Sequence, residues 1–350
     1  MKLERYILRQ LILAFVLAVG GMFFVALPGI AVAAVHKLSG VDLVVVLRFL
    51  PLLAAGLFPY VIPIGFLLSV VVTFGRLAAD QEWTAILMTG LHPLRMILPG
   101  LVFGLLLATG TFAMLSHVIP YLKFKTRDYQ ISAVSDVVKN LSPGRTEIRL
   151  GEFYLASAFR DGDEFLDALI HFPGEEHKII AKRVRFSFSN NEMIVQLKDY
   201  QVVAPGIKAR AEEGIFAENL QDLVEGKERT YTNPRYKQSP TLYRLMNDPS
   251  LPASTRRDLA YEFHERFALA STIGMFLLLG MATGLLLRRG TQLGALAVAV
   301  GYALIYYILS MRVGHELTRA GTLAPWAGAW STVIAGSLVG VFLLRKALQH

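Results

Sequence analysis

Residues 74–91 read FGRLAADQEWTAILMTGL, and the rest of the chain is organised around this stretch. It lies between two apolar segments that are each long enough to cross a bilayer. We expect one helix over residues 77–89, because Asp80 and Glu82 stand near the end where the helix dipole favours negative charge. Gly90 predicts where that helix stops.

This predicted helix has too many apolar side chains for a free loop and too few to span a membrane: Leu77, Ala78, Trp83, Ile86 and Leu87. A short helix at the membrane surface with exposed acids is suited to bind another protein. The spacing is equally consistent with a plain connector in which Asp80 and Glu82 only stabilise the first turn.

The composition indicates a membrane protein. The chain has 350 residues, is 54% hydrophobic and carries a net charge of +8. Residues 120–262 hold 21 basic and 21 acidic side chains, so the excess of positive charge flanks the apolar segments. This distribution orients helices in a membrane and does not indicate nucleic-acid binding. The absence of cysteine excludes disulfides, iron–sulfur clusters and thiolate metal sites.

Six apolar segments predict six membrane spans. The first could be a signal peptide, since Ala31-Val32-Ala33 is similar to a cleavage site. Its apolar run is much longer than the ~7–15 residues of a signal sequence, so we interpret it as a retained helix. The predicted spans are residues 11–35, 51–73, 96–119, 267–287, 293–311 and 323–344.

The Lys and Arg residues that flank the spans predict the orientation. Nine lie on the side that includes both termini, and four lie on the other side. Because cytoplasmic loops carry the excess of basic residues, both termini are predicted to face the cytoplasm and the large insert to face outward.

The insert, residues 120–262, has the alternation of β-strands. Strands are expected at residues 147–159, 165–172 and 179–188, with a turn at Asn190-Asn191 before the next strand. Several short strands of this kind indicate an antiparallel sandwich or jelly roll. An elbow with a short helix follows over residues 239–252.

The predicted fold class is therefore an α-helical membrane protein with six transmembrane helices and an inserted extracytoplasmic antiparallel β domain, jelly-roll-like. The predicted domains are residues 1–119 with the loop helix, 120–262 with the β domain and elbow, and 263–350 with the last three spans.

The chemistry of the sequence favours transport driven from elsewhere. No predicted span centre carries an ionisable residue, which ion-coupled transporters usually need, and the chain has no G-x-x-x-x-G-K-[ST] phosphate loop. An intramembrane hydrolase is the enzyme alternative, but His264-Glu265 and His315-Glu316 both lack the second histidine of a zinc motif. Residues 161–164 are better explained as a hairpin turn than as a calcium loop. A membrane-anchored scaffold that presents a β binding domain is the third alternative.

Several stretches resemble the permease subunits of the lipopolysaccharide export ABC transporter, the LptF/LptG type. The phrase around Arg266 is closer to the LptF branch. Residues 281–284 differ from the family, which commonly has a Pro-Leu-Gly-like break in span four. The matching stretches are Arg5-Tyr6-Ile7, Phe74-Gly75-Arg76-Leu77 with Glu82 and Gly90, Glu265-Arg266-Phe267-Ala268-Leu269, and Gly321-Thr322-Leu323-Ala324-Pro325 with Trp330.

The resemblance implies a set of partners and no cofactor. Two such permeases would pair on a cytoplasmic ATPase dimer, with a single-span gate subunit that carries a periplasmic β domain. Lipopolysaccharide would leave the outer leaflet of the inner membrane between spans one and five and pass to a periplasmic β-jellyroll bridge. The implied coupling acid is Glu82, with Arg76, Asp80 and Trp83 beside it.

The phosphates of such a lipid need cations at the level of the outer leaflet. Lys37 follows span one, Arg48 lies on the same loop, and Arg312 stands at the matching end of span five. Arg312 is favoured, because the guanidinium forks onto phosphate oxygens. The alternative is that these residues are interfacial anchors that extend toward lipid headgroups.

Overall fold

A computed structural model divides the chain into two compact units. The membrane unit contains residues 1–28, 54–121 and 234–350, and the sheet unit contains residues 29–53 and 122–233. Residues 234–262, which the sequence analysis grouped with the β insert, therefore belong to the membrane unit. The structure describes residues 2–37, 43–125, 146–150, 153–161, 164–171, 178–189, 192–204, 207–219, 233–287 and 292–349.

Helices make up the membrane unit, and among the described residues six helical segments are long and apolar enough to cross a membrane. This confirms the predicted number. We call them spans one to six: Lys2–Val35, Phe58–Ala79, Pro93–Lys125, Ala253–Leu286, Leu293–Arg319 and Pro325–Gln349. The described α-helices of the two units together are Lys2–Lys37, Leu43–Ala55, Phe58–Ala79, Glu82–Met88, Pro93–Ala113, Ser239–Met246, Ala253–Leu286, Gln292–Tyr307, His315–Arg319 and Pro325–Gln349.

Span two starts later than predicted. Pro51 lies inside the separate helix Leu43–Ala55, and span two begins at Phe58. Pro59 lies in its first turn, where the backbone N–H groups have no partner within the helix, so proline costs no helical hydrogen bond.

Spans two and four form the centre of the membrane unit. Most of each is buried, whereas few residues of span one are buried. Phe66 and Phe74 of span two, and Phe276 and Met281 of span four, have no exposed surface. Close packing holds these helices together, because lipid chains are as apolar as the side chains and supply no hydrophobic drive.

Two glycines allow the backbones of spans two and four to approach each other. A Cβ atom added to Gly284 would lie 2.8 Å from the backbone nitrogen of Gly75 and 3.0 Å from the carbonyl oxygen of Val71. Only a residue without a side chain permits this approach. Span four remains a single unbroken helix from Ala253 to Leu286.

Spans three and five each contain a π-helical segment. These segments are Met114–Val118 in span three and Ile308–Gly314 in span five. A π-helical segment inserts an extra residue into the helical turn, and such segments are frequent at functional sites.

The sheet unit confirms the antiparallel β insert. Each strand pairs with the next, so the described strands form a meander without the crossover of a jelly roll. The predicted strand over residues 147–159 is a hairpin, since Leu150 pairs with Phe153. The strands are β1 (Thr146–Leu150), β2 (Phe153–Asp161), β3 (Glu164–His171), β4 (Lys178–Ser189), β5 (Glu192–Ala204) and β6 (Ile207–Asn219).

The hairpin of β4 and β5 agrees with the sequence prediction. Ser189 pairs with Glu192 across the predicted turn, whose two asparagines lie outside the described residues. Asp167 in β3 and Asp199 in β5 are each skipped in the register with β4, and both have a φ angle of 48°. Aspartate tolerates this left-handed conformation better than most residues.

One face of the sheet carries its apolar core. The buried side chains of this cluster are Leu155, Phe165, Ala168, Ile170, Ile179, Ala181, Val184, Val195 and Leu197. On β4 and β5 they alternate with exposed residues, among them Lys182, Arg185 and Lys198, as a strand with one buried face requires.

Candidate functional site

The loop between spans two and three contains one short helix, Glu82–Met88, which we call the loop helix. The prediction of one helix over residues 77–89 is wrong, because span two continues to Ala79 and the helix breaks at Gln81. Gln81 has a φ of 62°, which is incompatible with a right-handed helix. Gly90 has a φ of 80°, and this confirms the predicted stop.

Glu82 stands in the first turn of the loop helix and is half-buried. Its two carboxylate oxygens lie 3.1 and 3.0 Å from the phenol oxygen of Tyr6, which donates a hydrogen bond to the carboxylate. Tyr6 belongs to span one, so the pair fastens the loop helix to the start of the chain. A carboxylate has about four lone-pair sites, and Glu82 can therefore accept further hydrogen bonds from a partner.

Trp83 anchors the loop helix to the membrane unit. Its side chain is 5% exposed and meets the ring of Phe74 edge-on, with ring centroids 6.1 Å apart. It belongs to the same buried cluster as Ile7 and Leu77. Trp83, which the sequence analysis grouped with the coupling residues, therefore faces inward and offers little surface to a partner.

Exposed side chains of three kinds lie at the end of span two and in the loop that follows it. Arg76 and Asp80 are exposed, and Met88 is 85% exposed. The two charged side chains can form ion pairs with another protein, and the flexible methionine can pack against its apolar surface. That Glu82, Arg76 and Asp80 engage an ATPase stays a prediction.

The proposed phosphate-binding residues are not brought together by any described contact. Arg312 lies in the π-helical segment of span five, and its side chain is exposed. Lys37 and Arg48 fall in the helices Lys2–Lys37 and Leu43–Ala55, but their side chains lie outside the described residues. A lipid phosphate site formed by these three residues stays a prediction.

Comparison with known protein families identifies the family that has this combination of spans, loop helix and sheet. The family described as lipopolysaccharide export system permease LptF/LptG matches residues 5–346. The chain belongs to the LptF/LptG family. No curated protein matches the chain. The match includes all six spans and the inserted sheet, so this LptF/LptG protein is a multi-pass inner-membrane permease of the lipopolysaccharide export system.

LptF/LptG is a transport family, and the segments considered as enzyme or metal sites have structural explanations in this member. The His315 ring packs against Tyr261, with centroids 5.0 Å apart. Asp161 pairs with Glu164 across the predicted hairpin turn. Across the described part of the chain, no group of three or more His, Cys, Asp or Glu side chains could hold a metal ion.

Span four of this LptF/LptG chain contains a buried polar cluster that the sequence pattern did not predict. Arg266 is 2% exposed, and its guanidinium donates a hydrogen bond to the Glu262 carboxylate at 3.2 Å. The spacing of four residues predicts that these side chains meet on one face of a helix. Burial of the pair depends on residues distant in sequence, which no local pattern reports.

Proposed function

We propose that this permease moves lipopolysaccharide out of the inner membrane, powered by a separate ATPase that binds the loop helix. The observation that carries the proposal is the attachment of that helix: Tyr6 bonds to Glu82, and Trp83 is buried beside Phe74. A helix fastened in this way transmits a displacement to spans one and two instead of moving independently. The sequence has no phosphate loop, so ATP hydrolysis is assigned to another protein.

The exposed face of span one supports a lipid path at the surface of the membrane unit. Leu13 and Leu17 are 61% and 68% exposed. Farther along the span, toward its outer end, Phe24 and Val25 are 77% and 79% exposed. Acyl chains fit such an apolar wall, and a second permease of the same family would enclose them from the other side.

The basic residues at the span ends support the orientation of the complex. They favour an orientation with both termini and the loop helix in the cytoplasm and the sheet unit in the periplasm. In this orientation the loop helix meets a cytoplasmic ATPase dimer. The sheet unit delivers lipid to a periplasmic bridge protein, beside a single-span gate subunit.

The test compares two variants that both break the pair of Tyr6 and Glu82. Glu82→Lys also reverses the charge that the ATPase would meet, whereas Tyr6→Phe removes only the internal hydrogen bond. An acid near a helix end contributes about 0.3–1 kcal/mol, so both variants should retain the membrane fold. We expect Glu82→Lys to lose most lipid release per ATP hydrolysed. Tyr6→Phe should keep most of it, because the buried Trp83 still fastens the loop helix beside Phe74.

The measurement is lipid release and ATP hydrolysis by the complete complex in proteoliposomes. Wild-type export by Glu82→Lys would reduce Glu82 to a structural residue. An equal loss in Tyr6→Phe and Glu82→Lys would show that the internal bond, and not the charge, is what matters.

A further inference from the structure

A short helix in the elbow, Ser239–Met246, lies between the sheet strands and span four in the chain, and we call it the elbow helix. It packs in the membrane unit, where Ser239 and Leu242 are buried. It follows a 3₁₀ turn at Pro234–Tyr236. In the chain, this segment therefore stands between the residues that lead from the sheet and the start of span four.

Arg266 joins the elbow to span four. Its guanidinium donates to the Ser239 hydroxyl at 3.1 Å and to the Pro234 carbonyl at 3.4 Å, besides its hydrogen bond to Glu262. Glu262 also lies 3.6 Å from Arg235. One buried cation thus contacts the turn, the start of the elbow helix and its own helix.

The same cluster continues into the π-helical segment of span three. The Ser239 hydroxyl donates to the Ser116 hydroxyl at 2.9 Å, and both side chains are buried. One turn before Arg266, the phenol of Tyr261 donates to the Ser310 carbonyl at 2.6 Å, within the π-helical segment of span five. Span four is therefore bonded directly to the irregular segment of span five, and through Ser239 of the elbow helix to that of span three.

A buried charge of this kind needs an explanation other than stability. Taking a guanidinium out of water is costly, and an apolar residue in the same place is often as stable or more so. In the best-studied cases, a buried ion pair fixes one arrangement of the helices or strands that it connects. A guanidinium suits this role, because its planar fork can satisfy several acceptors at once.

We propose that Arg266 is a positioning residue that holds the elbow helix against spans three and four, through a clamp formed by Pro234, Ser239, Glu262 and Ser116. The proposal rests on the proposed transport function in one respect: the clamp carries the ATP-driven movement of these spans to the chain that leads from the sheet unit. Its structural part is independent of that function.

The structural part is tested by amide hydrogen exchange of the full-length permease in detergent. Arg266→Met should release the elbow helix, and its amides should exchange roughly tenfold faster, as loss of a charge-assisted hydrogen bond predicts. Arg244→Met is the matched control, because it removes an exposed arginine from the elbow helix itself and exchanges one good helix former for another.

A second variant covers the case in which Arg266→Met does not fold. Ser239→Ala keeps the pair of Arg266 and Glu262 intact and removes only the bonds to the elbow helix and to Ser116. It should also accelerate exchange in the elbow helix, while exchange in span six stays unchanged. Wild-type protection of the elbow helix in Ser239→Ala would overturn the clamp, as would wild-type protection in a folded Arg266→Met.

The functional part is tested in the complete complex. The Arg266→Met or Ser239→Ala complex should hydrolyse ATP at the wild-type rate and release several-fold less lipid per ATP, and Arg244→Met should match the wild type. Unchanged lipid per ATP despite faster exchange would overturn the transport role of the clamp. A wild-type complex that hydrolyses ATP without moving lipid would refute the proposed function instead, and the exchange data would still decide the clamp.

Discussion

Replacing Gly284 with alanine should separate the two central helices of the membrane unit. The new Cβ would lie 2.8 Å from the nitrogen of Gly75, 3.0 Å from the oxygen of Val71 and 3.2 Å from the carbonyl carbon of Phe74. Carbon atoms in contact are normally about 3.5–4.0 Å apart, and all three neighbours are backbone atoms that cannot rotate away. The helices must therefore move apart by roughly half an ångström or more, and overpacking of this kind costs about 1–3 kcal/mol.

Two control variants isolate this contact from the helix-forming preference of alanine. Gly274→Ala lies in the same helix with no atom near its added Cβ, and Gly75→Ala lies on the other side of the same contact with its nearest atom at 3.7 Å. The assay is thermal unfolding of the purified permease in detergent. Gly284→Ala should melt below both controls, by a difference of about 1–3 kcal/mol in unfolding free energy. Equal melting of all three variants would refute the close approach of spans two and four.

Three further predictions concern orientation, lipid binding and pH. Alkaline phosphatase inserted between β4 and β5 should be active, and the same enzyme fused at residue 290 should be inactive; the reverse result would contradict the proposed orientation. Lys37→Glu with Arg312→Glu should abolish co-purification of lipopolysaccharide and preserve binding of the ATPase, because phosphate pairing needs cations; wild-type lipid content would leave both residues as interfacial anchors. In the sheet, hydrogen bonds from Lys182 and Arg210 hold the pKa of Asp199 below its ordinary value, so its ionised form is the one that stabilises the folded state. Asp199→Asn should lower the melting midpoint at neutral pH, and the difference should shrink as the pH falls below about 3.9 and on through the lower folded-state pKa; a difference that persists in strong acid would exclude the ion pairs as its cause.

The sequence alone determined the six spans, the β insert and the family. Each span is a continuous apolar run of about 20 residues, and the strands of β4 and β5 alternate with a period of two. These signals are local, because transfer into lipid and the pleat of a strand act on neighbouring residues. The stop at Gly90 is also local, since a glycine in a left-handed conformation ends a helix without a contact from elsewhere.

Only the tertiary structure decided the inner arrangement of the loop helix and of span four. Residues 77–89 have the pattern of one helix, but the backbone breaks at Gln81 while Trp83 packs on Phe74 and Glu82 bonds to Tyr6, 76 positions away. Arg266 has an ordinary surface pattern with Glu262, but in the fold it is 2% exposed and bonds to Ser239 and Pro234 of the elbow. Which side chains are buried depends on which distant segments of the chain pack together. The local periodicity of the sequence does not predict that packing.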